Sequence, residues 1–164
     1  MMNNLNRKLT VFLGLLSIIF GFNLPAKSET CIPLTVVRGQ GSTVTKTVSP
    51  PTIPAGPLGA LGVDITRNNW NTDWAVPSEE NFKSFVATIS SDKGGSFDIK
   101  MYLKYSDQTT GEFYNTDGVQ INPTQPLTIE ATPRPDDEPY QVNLFIGGLN
   151  HIGNGYTASV VGCY

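Results

Sequence analysis

The chain contains a single histidine, so acid–base or nucleophilic chemistry of the serine-hydrolase kind would have to run through His151, in Leu149-Asn150-His151-Ile152-Gly153. Such chemistry needs a nucleophile, a base and a group that orients the base. A histidine among Asn and Gly reads more simply as an exposed turn residue. The acidic runs Glu79-Glu80 and Asp136-Asp137-Glu138 are adjacent in sequence, whereas glycoside hydrolysis needs two carboxyls facing each other across a substrate. They read as solvated loop charge. Asp64, Asn69, Asn71 and Asp73 offer side-chain oxygens over ten positions, compatible with Ca²⁺ but without the glycine and bidentate glutamate of an EF-hand loop. They are a weak calcium set, and the expected cofactor is none. Trp70 and Trp74, among Asn and Asp, would stack on sugar faces or anchor a protein partner if exposed, with Tyr102 and Tyr114 extending the platform. Their plain alternative is to plug the open end of a β-sandwich. No catalytic set emerges, and the sequence predicts a protein that is not an enzyme.

Residues 1–28 have the grammar of a signal peptide. Arg7 and Lys8 precede a mostly apolar run from Leu9 to Phe22, and Ala26-Lys27-Ser28 places small residues before a cut at Glu29. The run is shorter than the roughly 18–20 apolar residues that span a bilayer. Cleavage would leave residues 29–164 as one exported domain, periplasmic or extracellular, with no membrane insertion. Removing Arg7, Lys8 and Lys27 from the 11 basic residues leaves 8 against 14 acidic ones, a net charge of −6. Such a surface repels phosphate backbones and anionic lipid, so nucleic acid is not an expected partner. Only Cys31 and Cys163 are present, at the two ends of the mature chain. Export makes a disulfide between them the expected pairing, with intermolecular pairing or two free thiols as the alternatives.

These residues must be carried by strands. Phe97, Ile99, Met101, Leu103 and Tyr105 alternate with Asp98, Lys100, Tyr102 and Lys104, the signature of a strand with one buried and one wetted face. Tyr140, Val142, Leu144 and Ile146 alternate with Gln141 and Asn143 in the same way. Around these two, Leu34–Val37 and Ser42–Val48 read as a hairpin turned at Arg38-Gly39-Gln40-Gly41, and residues 49–59 as a Pro-rich crossing. A short strand is expected over 60–65, a polar loop over 66–77, one helical turn near 78–81, a strand over 82–90 and weak strands at 112–114 and 119–121. Leu127–Ala131 and Tyr156–Val161 complete the set. No helical period persists over 11 residues, so the expected fold is all-β, an antiparallel sandwich.

The order Asp98-Ile99-Lys100-Met101-Tyr102-Leu103, Pro126-Leu127-Thr128-Ile129-Glu130-Ala131, Pro139-Tyr140-Gln141-Val142-Asn143-Leu144-Phe145 and Gly155-Tyr156-Thr157-Ala158-Ser159-Val160 resembles the bacterial pre-peptidase C-terminal domain family over roughly residues 82–163. The resemblance implies a secreted, jelly-roll-like module without catalysis, in some members binding calcium or polymeric substrates. Lys100 stands where the family's strand motif has its second acid, and a cation there repels Ca²⁺. The expected function is therefore an exported non-enzymatic binding or structural module. The alternatives are a carbohydrate-binding module using Trp70 and Trp74, or a subunit of a cell-surface assembly, with a glycan or an extracellular protein as partner.

Overall fold

A computed structural model describes residues 29–51 and 68–164. The expected leader, most of the Pro-rich crossing and the strand expected over 60–65 lie outside the described residues, as does Asp64. Ten strands follow in order: β1 (Cys31–Pro33), β2 (Thr35–Val36), β3 (Thr43–Thr47), β4 (Asn71–Ala75), β5 (Ser84–Ser90), β6 (Gly95–Lys104), β7 (Thr110–Ile121), β8 (Leu127–Ala131), β9 (Gln141–Gly147) and β10 (Gly155–Cys163). A 3-10 turn at Leu149–His151 is the one helical element among the described residues.

All pairings are antiparallel, and they form two sheets. In sheet A, β10 lies between β5 and an edge shared by two short strands, β3 beside its first half and β1 beside its second, with β8 outside β5. Sheet B runs β2-β4-β9-β6-β7. The facing quartets β3-β10-β5-β8 and β4-β9-β6-β7 make a jelly roll, and the antiparallel sandwich is the class expected from the alternating strands. The core lies between them. Phe97, Ile99, Met101 and Leu103 of β6, Val142 and Leu144 of β9, Phe85, Ala87 and Ile89 of β5 and Val160 of β10 are all 0 % exposed. Burying each large apolar side chain stabilises by about 1.5–3 kcal/mol over leaving it in water.

Cys31 and Cys163 are register partners across β1 and β10 and form the disulfide. With a sequence separation of 132, the bond removes up to about 5 kcal/mol of chain entropy from the unfolded state.

Several expected elements take a different form. The two runs of the expected hairpin do not pair with each other: β2 joins β4 in sheet B and β3 joins β10 in sheet A. The turn after Val36 is present, with Arg38 and Gly41 at φ 58° and 70°, but it carries the chain from one sheet to the other. The expected loop over 66–77 contains β4, because Thr72 and Trp74 point inward at period two while Asn71 and Asp73 point out. The two weak strands after Gly111 are one strand, β7, in which two register shifts against β6 absorb the polar residues that suggested a break. Residues 78–79 make a turn and no helix.

Candidate functional site

The outward positions of sheet B converge on one face. Asp73 of β4, Asn143 of β9, Tyr102 of β6 and Glu112 of β7 form one row across four strands. Asn71, Phe145, Lys100 and Asn115 form the next row, and Ala75, Gln141, Lys104 and Thr110 the one on the other side. Inward alternation of apolar residues drives each strand onto the core, so the intervening side chains of β6 and β9 are presented outward by the same packing. Tyr102 and Phe145 are diagonal neighbours on adjacent strands, a spacing of about 7–8 Å. Both are half-buried.

Most polar groups of this face are already fixed. The Lys104 ammonium donates to Asp73 Oδ1 at 2.8 Å and to Gln141 Oε1 at 3.4 Å, and Asn143 Nδ2 donates to the same Asp73 oxygen at 2.8 Å. Asn115 Nδ2 donates to Glu112 Oε2 at 3.1 Å. Partial burial, with the Glu112 carboxylate beside it, holds the Tyr102 phenol above its ordinary pKa. At the end of the face His151 Nε2 meets Asp98 Oδ1 at 3.0 Å, and the Gly118 amide donates to that oxygen at 2.9 Å. The turn that brings His151 there needs Gly148: its φ is 110°, and a Cβ would lie 2.3 Å from Asp98 Oδ2. His151 is thus a partnered turn residue, and among the described residues no serine hydroxyl bonds to it.

The tryptophans do not form the expected platform. Trp74 is 0 % exposed at an inward position of β4, its indole N–H donating to the Ser42 carbonyl at 2.9 Å. Trp70 is 8 % exposed and donates to the Ser49 carbonyl at 2.8 Å. Neither offers a ring face to a ligand. Trp70 instead packs over Gly147, where a Cβ would come within 2.4 Å of its Cγ, and stands edge-on to Phe145 with centroids 5.6 Å apart. It therefore buttresses a ring that does reach the surface. Tyr114 is opposite Met101 and packs against the core, so of the four expected platform residues only Tyr102 is on the outer face.

The weak calcium set is also dispersed. Asp73 is held by Lys104 and Asn143, and Asn69 Oδ1 accepts from the backbone and hydroxyl of Ser49. The Lys46 ammonium takes the main-chain oxygens of Asn69 and Asn71 and the Thr72 hydroxyl, at 3.2, 3.1 and 2.6 Å. A protein cation thus sits where these oxygens converge. Among the described residues no group of three or more His, Cys, Asp or Glu side chains is arranged to hold a metal. The acidic loop borders a separate hollow of about 640 Å³ between residues 81–83 and 132–138, where burial and neighbouring Asp137 raise the Glu138 pKa. Phe82 in that lining is 3 % exposed, so the hollow presents no aromatic face.

Phe145, Asn143, Gln141 and Lys104 were not singled out by type or spacing, and Lys100 was singled out only as a cation that repels Ca²⁺. The available signal was parity: an aromatic at 145 shares the outward register of Gln141 and Asn143.

No family model and no curated protein matches the chain. Among solved structures, the C-terminal family 22 carbohydrate binding module of Clostridium thermocellum Xyn10B is 14 % identical, with 80 % of this chain and 90 % of that one covered at a TM-score of 0.39. The CBM22-1 xylan-binding domain from Paenibacillus barcinonensis Xyn10C is 6 % identical, with 84 % and 96 % covered at a TM-score of 0.35.

Proposed function

We propose that this chain is an exported, non-enzymatic, cofactor-free module that binds a polysaccharide on the outer face of sheet B, with Tyr102 and Phe145 as the aromatic contacts. The observation that carries the reading is the pairing of two outward rings with a polar set whose geometry is fixed before any ligand arrives. Asp73, Lys104, Asn143 and Gln141 hold one another in place, so a ligand's hydroxyls meet ordered donors and acceptors with little further entropy loss. Aromatic rings beside such groups suit sugars, which present C–H faces and hydroxyl edges. The pre-peptidase C-terminal resemblance over residues 82–163 fits the same reading, as it too implies a secreted sandwich without chemistry of its own.

The test is binding of the purified, disulfide-bonded protein to a panel of insoluble plant and microbial polysaccharides, followed by titration with soluble fragments of whichever is retained. Tyr102→Ala and Phe145→Ala should each weaken binding by about 1–2 kcal/mol, a roughly five- to thirtyfold loss, measured well below each variant's melting temperature because Phe145→Ala also removes the edge contact with Trp70. Retention that both variants leave untouched would rule out this face.

A further inference from the structure

We propose that Lys100 sets the ligand preference of this face, and that the preferred ligand carries a carboxylate, as an isolated uronic acid unit in a polysaccharide does. The inference rests on the reading of sheet B as the binding face.

Three carboxylates of the face have partners within the protein. Asp73 is held by Lys104 and Asn143, Asp98 by His151 and the Gly118 amide, and Glu112 by Asn115. Lys104 is likewise committed. Lys100 differs. Among the described residues it makes no ion pair and no side-chain hydrogen bond, and its ammonium stands over the Phe145 ring, 5.8 Å from the centroid. It is half-buried and flanked by Phe145 on β9 and Asn115 on β7.

A ligand cannot lie on Phe145 without meeting this ammonium. A neutral sugar must displace it from the ring, losing the cation–π contact, or cover it and leave a partly desolvated charge without a counter-ion. A carboxylated sugar gains a charge-assisted hydrogen bond from the same group while its C–H face rests on the ring. One side chain thus penalises one ligand class and favours the other, which is how specificity is commonly built. The net negative charge of the chain works against dense polyanions, so the favoured ligand is a mainly neutral polymer with scattered uronates.

The experiment is calorimetric titration of the purified, disulfide-bonded protein with matched pairs of soluble oligosaccharides, neutral and uronate-bearing, on glucan, galactan and xylan backbones. The wild-type chain should bind the uronate-bearing member of at least one pair fivefold or more tightly. Lys100→Ala should reverse the preference, weakening the uronate-bearing ligand and strengthening the neutral one because Phe145 is uncovered. Lys100→Arg should keep the original order. Tyr102→Ala should weaken both members alike. Equal binding of both members, or a preference unchanged by Lys100→Ala, would overturn the role of Lys100 while leaving the binding face intact. Failure of every oligosaccharide to bind would overturn the face and the preference together.

Discussion

Tyr156 illustrates how far a single residue's behaviour follows from its position. It is 3 % exposed, points into the core from β10 and stands edge-on to Phe97, with ring centroids 5.8 Å apart. Its hydroxyl is buried without a well-formed hydrogen bond, and the nearby Thr72 oxygen is already taken by Lys46 at 2.6 Å. Burial pushes its pKa up to about 12, with Thr72 taking back part of the shift. Because the folded-state pKa is raised, the associated stability is complete below about pH 10 and is lost as pH rises from about 10 towards 12. Tyr156→Phe should therefore remove an alkaline loss of about 2–3 kcal/mol. Denaturant melts of the two proteins from pH 8 to 11.5 check this: the curves should diverge above pH 10, and parallel curves would contradict the assignment. That Tyr156 lies inward was legible from its alternation with Thr157; its missing hydroxyl partner was not, because Thr72 is 84 residues away and comes from the other sheet.

At the scale of elements, the edge strand β3 departs from its own pattern. Val44 packs against the core, and the next inward position holds Lys46, whose three acceptors belong to Asn69, Asn71 and Thr72 at the start of β4. An inward-pointing charge on an edge strand discourages pairing with another chain, and here it also ties sheet A to sheet B. Burial lowers the Lys46 pKa, and the Asp73 carboxylate offsets part of that. Removing the ammonium would leave these three acceptors, two of them part-buried, without their donor. Lys46→Met, which keeps the stem and removes the donors, should cost about 1–3 kcal/mol and lower the melting temperature by several degrees. An unchanged melting temperature would show that the ammonium does not hold the sheets. Strands with strict alternation, β6 and β9, were legible because the alternation is carried within each strand's own sequence. β4 was obscured because Asn and Asp favour turns, and pairing with β9 on one side and β2 on the other overrides that tendency. β7 was obscured for a related reason, its Asn115-Thr116-Asp117-Gly118 stretch being absorbed by a bulge opposite Asp98.

Across the whole molecule, the jelly roll separates two tasks. The interior holds the sheets together, and the disulfide clamps the first and last strands where they meet in β1 and β10. The outer side of sheet B then carries the ordered polar groups and the two rings. The sandwich class was legible in period-two patterning and turn residues, whereas the face was not: it is assembled from positions 73, 100–104, 112–115 and 141–145, and no local spacing shows that β4, β9, β6 and β7 lie side by side. The tryptophans drew attention as large aromatics in polar surroundings, yet their size is what places them at the buried end of β4. The most direct measurement of the central claim is an amide chemical-shift titration of the isotopically labelled, disulfide-bonded protein with a retained oligosaccharide. Shifts confined to β4, β9, β6 and β7 and centred on Tyr102, Asn143 and Phe145 are the expected result. Shifts centred on sheet A, or on the hollow between residues 81–83 and 132–138, would contradict it.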